Sequence, residues 1–205
     1  MRFTPPKFIR RWYPSIIWNF YDDDDKTSVY LTFDDGPTPE ITPWVLQQLE
    51  KYNAKATFFC LGKNVEQHPE EYKMILQHGH SVGNHSYSHV KGFGVSVGRY
   101  VEDFDFAEEF IQTNLLRPPY ARCTPRQIKM LSERFHIIMM DIVSRDYSST
   151  ISPRHCLRNI TKYVQAGSII GLHDSKKSVK NIKYVLPLLL EFLKKKGFEC
   201  KAIVL

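Results

Sequence analysis

Past residue 27 the chain alternates between short apolar runs and longer stretches with one apolar face. "SVYLTF" (28–33) is rich in β-branched and aromatic residues, the pattern of a buried strand. A helix is expected next, with Thr38 as N-cap, Pro39 at the first position and Glu40 in the first turn. Its apolar face is Ile41, Trp44, Val45, Leu49 and Tyr52, and Asn53 can end it. "ATFFCLG" (56–62) predicts a second strand, residues 69–78 a helix closed by Gly79, and "HSVGNH" (80–85) a short third strand. Residues 98–113 predict a helix, "LLRPPY" (115–120) a strand interrupted by prolines, and 124–135 another helix. "HIIMMDIV" (136–143) reads as a fifth strand, 153–166 as a helix stopped by Gly167, and "SIIGLHD" (168–174) as a sixth strand. The clearest helical period is 181–196, with Ile182, Val185, Leu186, Leu189, Leu190 and Leu193 inward and three lysines in the last turn. "FECKAIVL" (198–205) closes the chain as a seventh strand.

Strand–helix alternation of this kind implies an α/β fold with a parallel sheet. Polar residues stand at the C-terminal end of one strand after another: Asp34 and Asp35, His85, Arg117, Asp141 to Asp146, then His173 and Asp174. Only a ring makes so many strand ends converge. Seven units suit either an open doubly wound sheet or a closed barrel, and the converging ends favour a closed, barrel-like ring with its site at that edge. Residues 27–205 form this one domain, and residues 1–26 a basic, aromatic N-terminal extension.

Composition changes this picture little. The net charge of +6 makes anionic partners plausible, but much of the excess lies in lysines on or beside the last helix, where a solvated face is the simpler reading. No aromatic-interleaved basic patch points to nucleic acid. Cys60, Cys123, Cys156 and Cys200 are scattered without metal-finger or redox spacing, and Cys60 reads as a core thiol. The extension has no long apolar segment and no small-residue cleavage site, which argues against a standard signal peptide and a transmembrane helix. The compartment stays open between cytoplasmic and cell-envelope-associated. Trp12, Tyr13, Ile16, Ile17 and Trp18 are expected to pack against the domain rather than a membrane. "DDDDK" (22–26) matches a protease site used in expression tags, but inside the chain it reads as a native solvated turn.

The chemistry begins at Asp34-Asp35. Two carboxylates at the end of a buried strand repel unless something positive lies between or beside them. His85 and His89 in "HSYSH" would face one way if a helical turn starts there, bringing two imidazoles to one metal ion. Two imidazoles and one carboxylate make a facial triad with open positions, suited to zinc, cobalt, nickel or iron. The neighbouring carboxylate can then take a proton from water that the cation acidifies. "RPPY" adds a guanidinium that stays charged, and prolines that force an irregular strand exit. "LHD" adds one histidine at a strand end, weak on its own.

Together "TFDDGP", "HSYSH", "RPPY", "SRDY" and "LHD" resemble, in order, the five motifs of the polysaccharide deacetylase family (NodB homology domain, carbohydrate esterase family 4). The resemblance spans roughly residues 27–205. It implies a distorted (β/α) barrel of about seven parallel strands and metal-dependent removal of acetyl groups from GlcNAc-containing glycans such as peptidoglycan or chitin fragments; a monomer is expected. Carried over by position, Asp35, His85 and His89 are the metal ligands, with zinc first and cobalt or nickel as alternatives. Asp34 is the general base, tuned by Arg117, and His173 the general acid, oriented by Asp146. The Tyr120 backbone N–H would stabilise the oxyanion, and Leu172 and Tyr147 would line the pocket.

The sequence departs from the family pattern at Ala121, where glycine is usual, at Val143, where aspartate is common, and at Tyr147, where tryptophan is common. Met139 and Met140 replace an aromatic often found before Asp141. These changes bear on the substrate groove, and Arg145 could add a contact to an anionic glycan. O-deacetylation of xylan-type glycans is the nearest alternative activity. A non-catalytic sugar-binding domain and a facial-triad oxygenase are the other classes; neither has a use for both Asp34 and His173.

Overall fold

The computed structural model describes residues 13–21 and 23–205, so Trp12 and Asp22 lie outside the described residues. Among the described residues, nine strands form the sheet: β1 (Ile16–Ile17), β2 (Ser28–Asp34), β3 (Ala56–Cys60), β4 (Ser81–Asn84), β5 (Leu115–Leu116), β6 (His136–Ile138), β7 (Ile142–Val143), β8 (Ile169–His173) and β9 (Glu199–Cys200). Seven α-helices among the described residues connect them: α1 (Thr42–Lys51), α2 (Gly62–Gln67), α3 (Pro69–Gln77), α4 (Val97–Glu108), α5 (Pro125–Leu131), α6 (Pro153–Thr161) and α7 (Val179–Lys195). Every strand pairing is parallel, and the order is β1-β6-β5-β4-β3-β2-β8-β7, with β9 on β2.

The sheet curls into a ring left open between β6 and β7, and two short pieces bridge the gap. The run expected as one fifth strand breaks at Met139 to Asp141: β6 pairs with β5, while β7 pairs with β8 on the far side of the order. One continuous stretch of backbone thus spans the gap. At the other end of the gap β1 pairs with β6, and Phe20 N–H donates to Gly167 O at 2.8 Å just before β8. Hydrophobic period alone does not register such a partner change, because the residues stay buried throughout. β1 was not anticipated as a strand, although Ile16 and Trp18 are buried against the domain as expected.

Three apolar clusters hold the layers. Leu31 and Phe33 of β2 face outward with Val45 and Leu49 of α1 and with Ile182, Val185, Leu186 and Leu189 of α7. Tyr100, Phe104, Ile128 and Leu131 pack α4 and α5 around Leu116, Ile137 and Trp18. Phe59, Leu115, Ile138, Met140 and Ile169 form a third cluster with Phe20, Tyr30 and Val143 packed against it. The four cysteines are free, and Cys60 is buried in the core.

The helix ends show where local signals were read correctly. Gly79 follows α3 at φ 70°, the left-handed conformation that a C-terminal glycine supplies. Helix α1 begins at Thr42 instead of after Thr38: Thr38 N–H donates to Thr42 Oγ1 at 2.8 Å, and residues 38–41 form a turn. Pro43 then takes the early helical position expected of Pro39. Helix α2 was not foreseen; it is short, and only Gly62 and Val65 are buried on it.

Candidate active site

Strand alternation places the first carboxylate. In β2, Thr32 and Asp34 share a face, opposite Leu31 and Phe33. Arg117, at the end of β5, reaches both: its guanidinium donates to Asp34 Oδ1 and to Thr32 Oγ1, each at 2.7 Å. It also donates to the carbonyls of Ile138 (3.1 Å) and Met139 (3.0 Å), and lies 4.0 Å over the Phe59 ring. Arg117 has no exposed surface. Burial lowers its affinity for the proton, and the Asp34 carboxylate opposes that loss. One buried cation therefore holds Asp34 and ties β2, β5 and the broken β6–β7 run together.

Asp35 points elsewhere. Its backbone is left-handed at φ 78°, and its carboxylate lies 3.2 Å from His89 Nε2 and 3.6 Å from His85 Nε2. One donor atom from each of the three residues lies within 4.8 Å of the others. Burial would raise the Asp35 carboxyl, but His89, His173 and His85 around it hold it well below the usual carboxylate range. His85 Nδ1 contacts Arg117 O at 2.7 Å, so a proton on Nδ1 leaves Nε2 with its lone pair toward Asp35. Burial also lowers the His85 pKa, partly offset by Asp34 and Asp35, which favours the neutral ligand form. This oxygen–nitrogen–nitrogen set is the chemistry of a divalent transition-metal site, and these residues fit one.

The expected helical turn at "HSYSH" is absent. Ser86 and His89 adopt φ 66° and 63°, in a loop pinned by Ser86 N–H to Asn84 Oδ1 (2.8 Å) and Val90 N–H to Ser86 Oγ (3.2 Å). Asp103 of α4 accepts from the Tyr87 and Ser88 N–H groups, both at 3.0 Å. The two imidazoles converge through this pinned loop, with centroids 5.3 Å apart, and not through i,i+4 stacking.

A second side-chain pair at this edge is His173 and Asp146. His173 Nδ1 lies 2.9 Å from Asp146 Oδ1, and its backbone N–H donates to Asp146 Oδ2, also at 2.9 Å. Ser144 Oγ and the side chain of Asn181 fix Asp146 and its backbone further. Burial alone would lower the His173 pKa. Asp146, with Asp34 and Asp35 beyond it, outweighs burial and pushes the imidazole up to about 9.

Tyr120 sits on the 3-10 turn Pro119–Ala121 at φ 60° and is exposed, its ring 4.5 Å from His89. The two bonds closing that turn run from Ala121 N–H and Arg122 N–H, and neither uses the Tyr120 N–H. Tyr147 is exposed and meets His173 edge-on at 4.9 Å. Leu172 is fully buried in the outer core cluster beside His173.

Asp174 was given no role in the sequence reading, yet it is fully buried and braces the Asp34-Asp35 turn. Its carboxylate accepts from Gly36 N–H (3.1 Å) and Thr42 Oγ1 (2.6 Å), while its carbonyl accepts from Thr38 Oγ1 (2.8 Å). Burial, with the charges of Asp35 and Asp34, pushes its pKa up to about 7. A Cβ at Gly36 would lie 2.1 Å from Asp174 Oδ2, so the glycine is required by the carboxylate closing against it. The only sequence signal for this was an acid in an otherwise apolar strand end.

A polysaccharide deacetylase family profile matches residues 21–134. A Bacillus cereus protein named peptidoglycan-N-acetylglucosamine deacetylase is 33% identical over 171 residues, covering 80% of this chain; the chain spans 62% of that relative's length. A solved peptidoglycan N-acetylglucosamine deacetylase is 30% identical and superimposes with a TM-score of 0.88, over 97% of this chain and 94% of that one. A carbohydrate esterase family 4 pseudoenzyme from Bacillus anthracis shares the fold at a TM-score of 0.81 and 23% identity, over 93% of this chain and 68% of that one. The matched span carries Asp34, Asp35, His85, His89 and Arg117 on the strand ends that the geometry brings together, and the chain belongs to the polysaccharide deacetylase family.

Proposed function

We propose that the protein is a metal-dependent N-deacetylase of GlcNAc-containing glycan, with peptidoglycan as the leading substrate. The observation that carries this reading is the division of the Asp34-Asp35 pair. Asp34 is bound to buried Arg117, and Asp35 faces two imidazoles. Relatives named as peptidoglycan deacetylases support the substrate class. The shared fold does not carry it, since a pseudoenzyme has that fold too.

Asp35, His85 and His89 would hold the divalent cation, zinc first, with cobalt or nickel as alternatives. The cation supplies positive charge to polarise the acetyl carbonyl and acidify a water. Asp34 accepts the proton of the attacking water, and Arg117 keeps that carboxylate aimed. His173 donates its Nε2 proton to the departing amine nitrogen, because an amine leaves poorly as an anion. Asp146 holds the imidazole by Nδ1, so Nε2 is the ring nitrogen left to face substrate. The Tyr120 N–H is the donor nearest in role to an oxyanion hole. Tyr147, edge-on to His173, bounds the side where the acetyl methyl and sugar ring would lie, whereas Leu172 faces the outer core and does not line it.

The test is a substrate panel on metal-defined protein: peptidoglycan, N-acetylated chitooligosaccharides and acetylated xylan, with acetate release as the readout. Release from the first two, abolished by a chelator and restored by zinc, is expected. Release from xylan alone would replace the reading by O-deacetylation. No release from any of them would leave a sugar-binding domain.

A further inference from the structure

From Tyr147 to Leu190 the chain carries seven Lys or Arg residues and a single acid, Asp174. Asp174 is fully buried at the active-site turn. The rest of the chain carries 21 basic and 21 acidic residues, so the whole +6 excess belongs to this segment. It spans α6, β8 and most of α7, and the two helices pack against each other.

The charges form one surface. Arg154, Arg158 and Lys162 repeat every fourth residue along α6, and all three are exposed. They span about 12 Å of helix. Lys176 and Lys177 just before α7, and Lys180 and Lys183 in its first turns, are also exposed. Among the described residues, Lys176 alone of these seven has a carboxylate partner, Glu40 at 2.8 Å. Neither helix has an acid in its first turn, where Arg154 and Lys180 oppose the helix dipole. Stability of the fold does not account for that placement.

The face also begins at the catalytic edge. Lys176 and Lys177 follow His173 within four residues, and exposed Arg145 adjoins Asp146. Because the strands run parallel and each helix returns from a strand's C-terminal end, the N-termini of α6 and α7 lie on the site's side.

We propose that this face binds the repeated carboxylate groups of the glycan polymer itself, holding the strand beside the site. The proposal rests on the deacetylase reading for its substrate, and adds that the substrate is a polyanion. A bilayer fits the face less well. The apolar residues of α7 are turned into the core, leaving Tyr184 and Leu188 as the large apolar side chains exposed on it.

The experiment sediments full-length protein with insoluble peptidoglycan carrying free carboxylates, or with the same material after carboxylate amidation. Salt is set at about 0.01 M and about 1 M, where screening lengths differ roughly tenfold. Wild type and R158E/K162E/K183E are compared, with R158Q/K162Q/K183Q as the milder variant should charge reversal unfold the chain. At low salt wild type should bind the free-carboxylate material about tenfold more tightly than the amidated one, as complementary charge steers and holds. High salt and either variant should erase that preference, while acetate release from a short neutral chitooligosaccharide stays within about twofold of wild type. Equal binding of wild type and variants, or no discrimination between the two materials, would overturn the proposal. So would variants that retain peptidoglycan binding but lose binding to phosphatidylglycerol vesicles, which would assign the face to a bilayer. Absence of acetate release from every substrate would instead sink the deacetylase reading and leave the sedimentation result to be judged separately.

Discussion

Arg117→Met tests how the site is built into the barrel. The guanidinium is fully buried and makes four hydrogen bonds, to Asp34, Thr32, Ile138 O and Met139 O. Methionine fills much of the same volume but leaves the Asp34 carboxylate, itself 4% exposed, without a partner. Removing one member of a buried ion pair costs about 3–5 kcal/mol, mainly because the other charge stays buried. At about 2–4 °C per kcal/mol for a chain of this size, the melting temperature should fall roughly 10–15 °C. Arg117→Lys keeps the charge but cannot serve four acceptors as the planar fork does, so its loss should be intermediate. Chelator-treated proteins are melted by circular dichroism as a double-mutant cycle with Asp34→Asn. With the carboxylate gone, Arg117→Met should cost about 2 kcal/mol less than it does in wild type. An equal cost in both backgrounds would refute the ion pair as the main role of Arg117.

Three further outcomes follow from the same geometry. His173 has a raised pKa, so its stabilising contribution is full below the unfolded value near 6.5 and is lost as pH rises through about 9. If it is the acid, kcat should fall on the alkaline side within that window, since a cation on Asp35 works against the rise; Asp146→Asn should move the limb to lower pH, and an unmoved limb would detach Asp146 from His173. Gly36→Ala should cost about 1–3 kcal/mol by overpacking against Asp174 and weaken cation binding by isothermal titration. Adding Asp174→Ala should recover part of the lost stability, whereas a fully additive double mutant would show that the two do not touch. Ala121 sits at φ 51°, where a left-handed non-glycine residue costs about 1–2 kcal/mol, so Ala121→Gly should stabilise by about 0.5–1 kcal/mol in urea melts. A destabilised glycine variant would contradict that strain.

The sequence made most of the barrel legible because a parallel strand buried on both faces and a one-faced helix have distinct patterns. Residues 181–196 were read within two residues of α7 at its start and one at its end. What escaped was pairing. The break at Met139 to Asp141 and the two-residue β1 depend on partners across the sheet, which hydrophobicity does not name. In the site, residue types and order led to Asp34, Asp35, His85, His89, Arg117 and His173, but the geometry at "HSYSH" did not follow from spacing. A helical i,i+4 pair and a loop with two left-handed residues present the same letters. Asp174 and Thr32 were hidden for a related reason: each acts through a contact distant in sequence, with Gly36 and with Arg117.

The division of labour between adjacent carboxylates is tested most directly by Asp34→Asn, assayed for bound metal and for acetate release from chitooligosaccharide in one preparation. The account predicts wild-type metal content, held by Asp35, His85 and His89, with no measurable acetate release. Near-normal acetate release would show that Asp34 is not the base, and loss of the metal would show that the two aspartates do not have separate roles.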